Sequence, residues 1–453
     1  MQMKKALLLS ILAATMTATA VSPVVASAAA VTSNAVQISQ TPFVVNGAKV
    51  SLRTIQSKGT TLVSVRDIAK AIDASLNVSK GNITVSLNHK SYVLKETAAV
   101  KADGGSFVDP AALLKAVGAG YSVQNGVRTI TSFKLLADID SAVWAGDSRL
   151  IVSRSIEGGR EDYLVDASNG QNELLLKSSN TSELVISPDG AKAAYTDELG
   201  AVYIIALDTK QSTKASEDSS IKNELQWSAD GSSLYFLQGD KNSVIAKVNL
   251  ADGAVSKVLE DKVDYKGNLS VSADGKKFSY TVTKQPKVTA DSAADVNLDD
   301  VAIDATGTEP QIYFYDSAAG DNKALQLTKE ATDKAFPEIA ANGAKTFYVN
   351  FTNDEASVGS LAAVSAAGEA SVVFADQDVF QLVSHGDNLY LLSGNGDKNA
   401  IYSVNAATGA SKLLHTVSDG VTELFVSNGG RIAVLSNGQL AVAANGKFST
   451  ITR

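Results

Sequence analysis

Residues 187–190 read Ser-Pro-Asp-Gly, and they lie between two largely apolar stretches, Glu183–Ile186 and Ala193–Thr196. Asp followed by Gly is typical of a tight hairpin turn, because Asp bonds its own neighbouring backbone and Gly adopts positive φ at no steric cost. The segment therefore predicts two antiparallel strands joined by a turn. Its Asp and Gly are explained by turn formation, without any catalytic role.

Turns of this kind recur along the chain at nearly constant spacing. Consecutive turn glycines are separated by 44, 41, 44, 68, 43 and 43 residues. A second hairpin follows the turn in most units, as in Val248–Gly253 and Val404–Gly409, which indicates four strands per unit. Such units of about 40 to 45 residues are typical of propeller blades, so the sequence predicts a mainly β protein with a seven-bladed β-propeller over residues 137–453. The turn glycines are Gly146, Gly190, Gly231, Gly275, Gly343, Gly386 and Gly429.

The 68-residue step becomes 44 when residues 286–309 are set aside, which places an insertion in the fourth blade. The insertion is acidic, and Asp295, Asn297 and Asp299 have the spacing of the first ligands of a calcium-binding loop. Asp300 stands where that loop needs Gly, and Thr306 stands where it needs a bidentate Glu. Two interpretations follow: a solvated acidic loop, or a calcium site at Asp295, Asn297 and Asp299.

The repeated turn resembles the Trp-Ser-Pro-Asp-Gly-Lys-Lys repeat of TolB-like propellers. The best matching segments are Ile186–Lys192, Trp227–Gly231 and Val271–Lys277. The resemblance implies the propeller fold over about two thirds of the chain, with more blades than TolB and without TolB's Tol-Pal partners. The last unit has four strand candidates of its own, so the ring is expected to close by side-chain packing between its first and last blades.

Residues 41–133 contain a different repeat, in which two copies align without a gap at an offset of 45 residues. Leu62-Val63, for example, matches Phe107-Val108. Each copy predicts one short helix between strands, with Ser64 and Asp109 as the N-caps and Pro110 at the first helical position of the second helix. The prediction is a small α+β domain made of a duplicated β-β-α-β unit.

Within the first copy, Asn46-Gly47 and Gly59–Arg66 resemble the motif of a bacterial stalk domain, the copper amine oxidase N-terminal-like domain. Ser64 and Asp73 depart from the family pattern, which favours Pro and Gly at these positions. The resemblance implies a spacer or adhesion module without copper. His89 is the domain's only His, and one imidazole does not make a copper site.

Residues 1–28 have the features of a secretory signal peptide: basic Lys4 and Lys5, an apolar run, and small residues at Ala26–Ala28 for cleavage. Residues 29–40 are interpreted as a linker.

Removing residues 1–28 takes the formal charge from −8 to −10, because two lysines are lost. An acidic protein disfavours nucleic acid as a partner, and the absence of Cys excludes disulfides, thiolate metal sites and thiol catalysis. With no second apolar run long enough to span a bilayer, the sequence predicts a secreted protein, either released or retained noncovalently at the cell wall.

The sequence carries no serine-hydrolase elbow, phosphate-binding Gly-Lys-Ser/Thr or zinc-protease motif, so no catalytic residue and no cofactor are assigned. Trp144 and Trp227 precede equivalent turns and are interpreted either as core between blades or as sugar platforms.

The predicted function is noncatalytic binding or scaffolding, in which the propeller recognises an extracellular protein or a cell-wall polysaccharide. The alternative is a polysaccharide lyase or glycosidase, which predicts three or more buried carboxylates at the mouth of the propeller.

Overall fold

The computed structural model describes residues 36–290, 301–352 and 357–453. The predicted signal peptide, residues 1–28, lies outside the described residues, as does most of the predicted linker. Asp295, Asn297 and Asp299, the candidate calcium ligands, also lie outside them. In the ranges that are described, no helix has the length and apolar character needed to cross a bilayer.

The N-terminal region is a small α+β domain built from two copies of one unit. Its strands are β1 (Ile38–Val45), β2 (Ala48–Ser57), β3 (Thr60–Ser64), β4 (Ser75–Ser79), β5 (Asn82–Leu87), β6 (Lys90–Lys95), β7 (Val100–Ala102), β8 (Gly105–Val108), β9 (Gly120–Gln124) and β10 (Val127–Thr131), and its helices are α1 (Val65–Ala71) and α2 (Pro110–Ala116), with one 3-10 turn at Glu96–Ala98. Strands β3 and β8 pair antiparallel with Val63 opposite Val108, two residues that the repeat makes equivalent. The two copies therefore meet about a local two-fold axis at this pair.

Both helices begin at the residues that the sequence predicts. The Ser64 hydroxyl accepts a hydrogen bond from the Asp67 N–H at 3.3 Å, and the Asp109 carboxylate accepts one from the Ala111 N–H at 3.0 Å. Each side chain satisfies a backbone donor that the first turn of a helix leaves free. Arg53 on β2 adds a two-pronged ion pair to Asp67, at 2.7 and 3.0 Å, and this hydrogen bonding lowers the pKa of Asp67. The start of α1 is thus tied to the sheet beneath it.

Residues 141–450 form seven antiparallel sheets of four strands each, so the predicted seven-bladed propeller is confirmed. Blades 1 to 3 are β11 (Ser141–Ala145), β12 (Arg149–Ile156), β13 (Gly159–Asp166) and β14 (Asn172–Ser178); β15 (Val185–Ile186), β16 (Lys192–Thr196), β17 (Val202–Ala206) and β18 (Gln211–Ser216); and β19 (Lys222–Trp227), β20 (Ser233–Gln238), β21 (Val244–Asn249) and β22 (Val255–Glu260). Blade 4 is β23 (Lys266–Val271), β24 (Lys277–Val282), β27 (Gln311–Asp316) and β28 (Leu325–Gln326). Blades 5 to 7 are β29 (Asp333–Ile339), β30 (Lys345–Phe351), β31 (Ser360–Ser365) and β32 (Ala370–Phe374); β33 (Val379–His385), β34 (Asn388–Asn395), β35 (Lys398–Asn405) and β36 (Ser411–Ser418); and β37 (Val421–Val426), β38 (Ile432–Ser436), β39 (Gln439–Ala444) and β40 (Lys447–Thr450).

The ring closes without a strand exchanged between its ends. The first strand of every blade contacts the first strands of both neighbours, including β37 of blade 7 with β11 of blade 1. One hydrophobic cluster joins Trp144 and Val152 of blade 1 to Leu435 and Val442 of blade 7, as the predicted closure by packing requires. We call this contact between blades 7 and 1 the seam.

Because strand direction alternates within a blade, the turn after the first strand and the turn after the third strand lie on the same face, here called the turn face. In the Ser-Pro-Asp-Gly turn, the Ser187 hydroxyl donates to the Asp189 carboxylate at 2.6 Å and accepts from the Lys192 N–H at 2.9 Å.

The turn glycine predicted for blade 7 needs correction. Gly430, not Gly429, has the positive φ of 77° and closes the turn. The sequence presents two adjacent glycines there, and spacing alone selected the wrong one.

The described residues of the insertion, 286–290 and 301–309, do not belong to the sheet of blade 4. Strands β25 (Lys287–Ala290) and β26 (Val301–Asp304) pair antiparallel with each other in a separate two-stranded sheet. These two strands come between the second and third strands of blade 4 in the chain, and the second strand of a blade ends on the face opposite to the turn face.

The N-terminal domain contacts the propeller at the seam. The Asn88 side-chain amide donates to the Phe133 carbonyl at 3.1 Å, and its oxygen accepts from the Leu135 N–H at 2.8 Å. His89 Nε2 lies 2.9 Å from the carbonyl oxygen of Thr452, two residues after β40. The turn at residues 88–89 therefore holds both the segment that enters blade 1 and the segment that leaves blade 7.

Candidate functional site

A cavity of about 730 Å³ opens on the turn face above blades 3 to 6, and we call it the funnel. Its floor is formed by one polar side chain from each of four consecutive blades: Gln226, Ser270, Glu338 and Ser384. Binding sites for small molecules and peptide segments are typically concave and of this size, about 300 to 1,000 Å³. The funnel is thus the main candidate site in the part of the chain that the structure describes.

The opposite part of the turn face, above blades 7, 1 and 2, is closed by contacts between turns. Asp147 of blade 1 accepts hydrogen bonds from the Ser427 hydroxyl at 2.6 Å and from the Gly429 N–H at 2.8 Å, both in blade 7. The Asn428 side-chain amide reaches the Pro188 carbonyl of blade 2 at 2.8 Å. The mouth of the ring is therefore asymmetric, with turn-to-turn contacts over blades 7, 1 and 2 and the funnel over blades 3 to 6.

β-Bulges position three of the four floor residues. The pairing of the first strand with the second shifts register between Asn223 and Gln226 in blade 3 and between Ala335 and Glu338 in blade 5. Blade 4 has the same irregularity just before Ser270, and in each blade one bulge residue has positive φ. A bulge bends the strand and changes the direction of the next side chains, so these side chains reach the central cavity. The bulge residues with positive φ are Glu224, Asn268 and Phe336.

Glu338 is the carboxyl group at the funnel floor. Its Oε2 accepts long hydrogen bonds from the Ser270 hydroxyl at 3.4 Å and from the Ser384 hydroxyl at 3.3 Å. The residue is half-buried: it borders the cavity on one side and is enclosed by protein on the others. Burial raises the pKa of Glu338 to about 7, while the two hydroxyl bonds act in the opposite direction. The group therefore changes charge near neutral pH.

Gln226 contributes the second acceptor of the floor. Its side-chain oxygen is buried and has no hydrogen-bond partner, and it is the one such side-chain atom found within the described ranges. A buried polar atom without a partner costs about 1 to 3 kcal/mol. A ligand group that donates a hydrogen bond to this oxygen would remove that cost.

Small and apolar residues form the wall of the funnel. Ala273 and Ala341 come from the turns of blades 4 and 5, where the Ala273 N–H donates to the Ala341 carbonyl at 2.9 Å, and Val271 and Ile339 lie below them. The titratable residues at the outer end are Lys345, His385 and Asp387, of which Lys345 and Asp387 are exposed. The funnel thus combines an apolar wall with a polar floor.

The funnel does not have the carboxylate cluster expected of the lyase or glycosidase alternative. Glu338 and Asp387 are the carboxyl residues among its lining residues. Glu423 of blade 7 also lies on a first strand, where burial and then the charge of Glu183 raise its pKa, but it does not line the funnel. Among the described residues, no group of three or more His, Cys, Asp or Glu side chains is placed to hold a metal ion.

The two tryptophans belong to the core between blades. Trp144 and Trp227 are 5% and 8% exposed. Their indole N–H groups donate across blade boundaries, Trp144 to the Phe425 carbonyl at 3.2 Å and Trp227 to the Val185 carbonyl at 3.0 Å. Of the two interpretations, packing is confirmed, and neither residue serves as a sugar platform.

The repeat contains a signal for the floor that turn spacing alone does not show. When blades 3, 4 and 5 are aligned at their turn glycines, Gln226, Ser270 and Glu338 fall at the same position, five residues before the glycine. A polar residue repeated at the same position of three first strands indicates a shared environment. His385 is the last residue of β33 and lines the outer funnel.

A second position repeats in the same three blades, nine residues before the turn glycine. It is occupied by buried lysines whose ammonium groups are surrounded by loop oxygens. Lys266 Nζ, for example, lies 2.7 Å from an Asp261 carboxylate oxygen and 2.8 Å from the Ser243 carbonyl. Each lysine therefore holds the loop that leads into the first strand of its blade. The three residues are Lys222, Lys266 and Lys334.

No protein-family profile matches this chain, and no curated protein sequence matches it. Solved structures do resemble it. The tricorn protease is 12% identical with a TM-score of 0.50, over 91% of this chain and 43% of the protease, so the chain spans less than half of that protein. An oligogalacturonate lyase in complex with manganese is 12% identical with a TM-score of 0.47, over 65% of this chain and 85% of the lyase. TolB from Acinetobacter baumannii is 14% identical with a TM-score of 0.39, over 76% of this chain and 79% of TolB.

At such identities the likeness concerns the fold alone. Seven four-stranded sheets define a seven-bladed β-propeller, preceded by a duplicated α+β domain. The similar structures include enzymes as well as TolB. The choice between binding and catalysis therefore depends on the funnel itself.

We expect Glu338→Gln to reduce the pH dependence of stability. The pKa of Glu338 is raised in the folded protein, so folding favours its protonated form, and the wild type loses stability as pH rises from about 4.5 through about 7. A neutral Gln cannot ionise, so the variant should be more stable than the wild type at pH 8 by about 1 to 3 kcal/mol, with little difference at pH 4.

Urea unfolding followed by tryptophan fluorescence measures this effect, because both tryptophans lie in the propeller. Exposed Glu157→Gln is the matched control and should leave the pH profile unchanged. Identical profiles for Glu338→Gln and wild type between pH 4 and pH 8 would contradict the assignment of a buried, titrating carboxyl.

Proposed function

We propose that this protein is a secreted, envelope-associated binding protein without catalytic activity, and that its funnel recognises a segment of an extracellular protein. The observation that carries the proposal is the shape and lining of the funnel: a cavity open over four blades, with an apolar wall and a polar floor. Protein-binding surfaces commonly combine an apolar contact area with a few buried polar groups that fix orientation.

The lining favours a protein over a cell-wall polysaccharide as the ligand. Phe347 is the one Phe, Tyr or Trp among the residues that line the funnel, and it is 2% exposed. Sugar rings usually pack on an exposed aromatic face, because such a face presents a flat apolar surface next to polar groups. The funnel offers small side chains such as Ala273 and Ala341 instead, which suit an extended peptide.

The same lining supports binding rather than bond cleavage. Most glycosidases use two carboxyl groups that flank the bond that breaks. Glu338 stands alone at the floor, and Asp387 is exposed at the outer end. With one carboxyl group at the floor, the funnel lacks the paired carboxyl groups that most glycosidases use.

The N-terminal domain acts in this proposal as the stalk that its motif resembles. It is attached at the seam through Asn88 and His89, and none of the residues that line the funnel belongs to it. The domain would hold the propeller at a distance from the cell wall and leave the turn face accessible.

Purified cell walls, with and without trypsin treatment, provide the test. We expect the mature protein to co-sediment with untreated walls, to lose binding after trypsin, and to release no sugar. Ala273→Trp places a large side chain in the funnel and should lower the bound fraction by about tenfold, while Ala251→Trp, on an exposed turn outside the funnel, should not.

Three results would overturn parts of the proposal. Released sugar would favour the lyase or glycosidase. Binding that survives trypsin would favour a polysaccharide ligand. Equal binding by Ala273→Trp and wild type would exclude the funnel as the binding site.

A further inference from the structure

We infer that the funnel floor binds the ammonium group of a lysine side chain of the partner protein. This inference rests on the proposed function and specifies the group that the funnel recognises. It follows from the acceptors at the floor, from the shape of the wall, and from the way this chain binds its own buried lysines.

The floor has acceptor atoms in excess of donors. Glu338 Oε2 receives two long hydroxyl bonds, from Ser270 and Ser384, and the buried Gln226 oxygen receives none. Lys345 is the lysine among the lining residues, and it is exposed at the outer end. An ammonium group has three donors and a positive charge, so it would pair with the Glu338 carboxylate.

The wall matches the stem of a lysine side chain. From the mouth to the floor, the ligand would pass Ala273 and Ala341 and then Val271 and Ile339. A lysine packs its methylene groups along apolar surface while its ammonium group reaches a polar environment. Aspartate and glutamate would instead bring a negative charge next to Glu338.

One buried lysine of this chain shows how a carboxylate and a hydroxyl bind an ammonium group together. Lys222 Nζ is 2.8 Å from an Asp218 carboxylate oxygen and 3.3 Å from the Ser220 hydroxyl, and it also donates to backbone carbonyls. The floor offers a carboxyl group from Glu338 and the hydroxyls of Ser270 and Ser384. No lysine is among the floor residues.

The interaction should strengthen as pH rises from 6 to 8. The ammonium group pairs with the ionised form of Glu338, and burial raises the pKa of that carboxyl to about 7. The neighbouring groups that face Glu338 from blades 3, 4 and 6, namely Gln226, Ser270 and Ser384, do not titrate in this range. The other titratable residues that line the funnel are Lys345, His385 and Asp387.

Fluorescence polarisation with labelled pentapeptides tests the inference. The probe is Ala-Ala-Lys-Ala-Ala, and its control carries norleucine, which keeps the stem and lacks the ammonium group. At pH 8 we expect the lysine peptide to bind at least tenfold more tightly than the norleucine peptide, by about 1.4 kcal/mol. Glu338→Gln should abolish that preference, whereas Glu423→Gln, on the first strand of blade 7 outside the funnel, should keep it.

A tetramer of glucosamine serves as a third ligand, because it carries the same ammonium group on a sugar. Tighter binding of this tetramer than of the lysine peptide would overturn the inference in favour of an amino-sugar polymer. Equal binding of the lysine and norleucine peptides, or a lysine preference that persists in Glu338→Gln, would also overturn it. If such results accompany normal binding to cell walls, only the lysine assignment fails. If wall binding is absent as well, the proposed function fails with it.

Discussion

Gly170→Ala is expected to destabilise the propeller by at least 3 kcal/mol, because the substitution acts directly on the seam. Gly170 lies in the turn after the third strand of blade 1 and has a φ of 77°, a conformation that residues other than Gly rarely adopt. A Cβ atom there would overlap the Ile451 carbonyl oxygen and the Leu135 side chain. Since Ile451 follows the last strand of blade 7, the clash separates the two ends of the ring.

Gly446→Ala is the matched control for this prediction. Gly446 also lies in a turn after the third strand of its blade and has a φ of 75°, but no atom lies within 4 Å of a Cβ placed there. Its cost should be the backbone strain alone, about 1 to 2 kcal/mol. Thermal unfolding of both variants measures the difference. Equal destabilisation would show that close packing at the seam does not limit the stability of the ring.

Lys266→Met is expected to destabilise the protein by about 3 to 5 kcal/mol, the range observed when one partner of a buried ion pair is removed. The Lys266 and Asp261 side chains are 0% and 9% exposed, so the remaining carboxylate could not recover its hydration. The carbonyl oxygens of Ser243 and Val263 would also lose their donor. Burial lowers the pKa of Lys266, while the Asp261 carboxylate favours its charged form.

The exposed pair Lys257 and Glu260 provides the control. Both side chains are more than half exposed, and exposed ion pairs contribute about 0 to 1 kcal/mol, so Lys257→Met should change the urea midpoint little. The double variant Lys266→Met with Asp261→Asn should recover part of the loss, since no unpaired charge would be left. A cost for Lys266→Met as small as that for Lys257→Met would refute a structural role for the repeated lysine.

Features that depend on a few neighbouring residues could be predicted from the sequence. Ser64 and Asp109 cap their helices because an N-cap bond joins residues two or three apart. The blade count follows from the spacing of the turns that contain Gly, each of which also forms locally. The error at Gly429 marks the limit of that approach, because two adjacent glycines can both supply positive φ.

The funnel could not be predicted in the same way, because its floor is assembled from distant residues. Ser270 and Glu338 are 68 positions apart, and they meet only because blades 4 and 5 are adjacent and each first strand carries a bulge. A single Glu in a strand is also a weak signal, since most such residues face solvent. The closure of the mouth over blades 7, 1 and 2 depends on contacts such as that between Asn428 and Pro188, which no local pattern encodes.

The contacts at residues 88–89 have a mechanical consequence. Because Asn88 bonds the segment that enters blade 1 and His89 lies against the end of blade 7, the N-terminal domain bridges the two ends of the ring. A force applied to this domain would therefore act on both ends of the ring together. The load would be divided between the hydrogen bonds of Asn88 and the contact of His89.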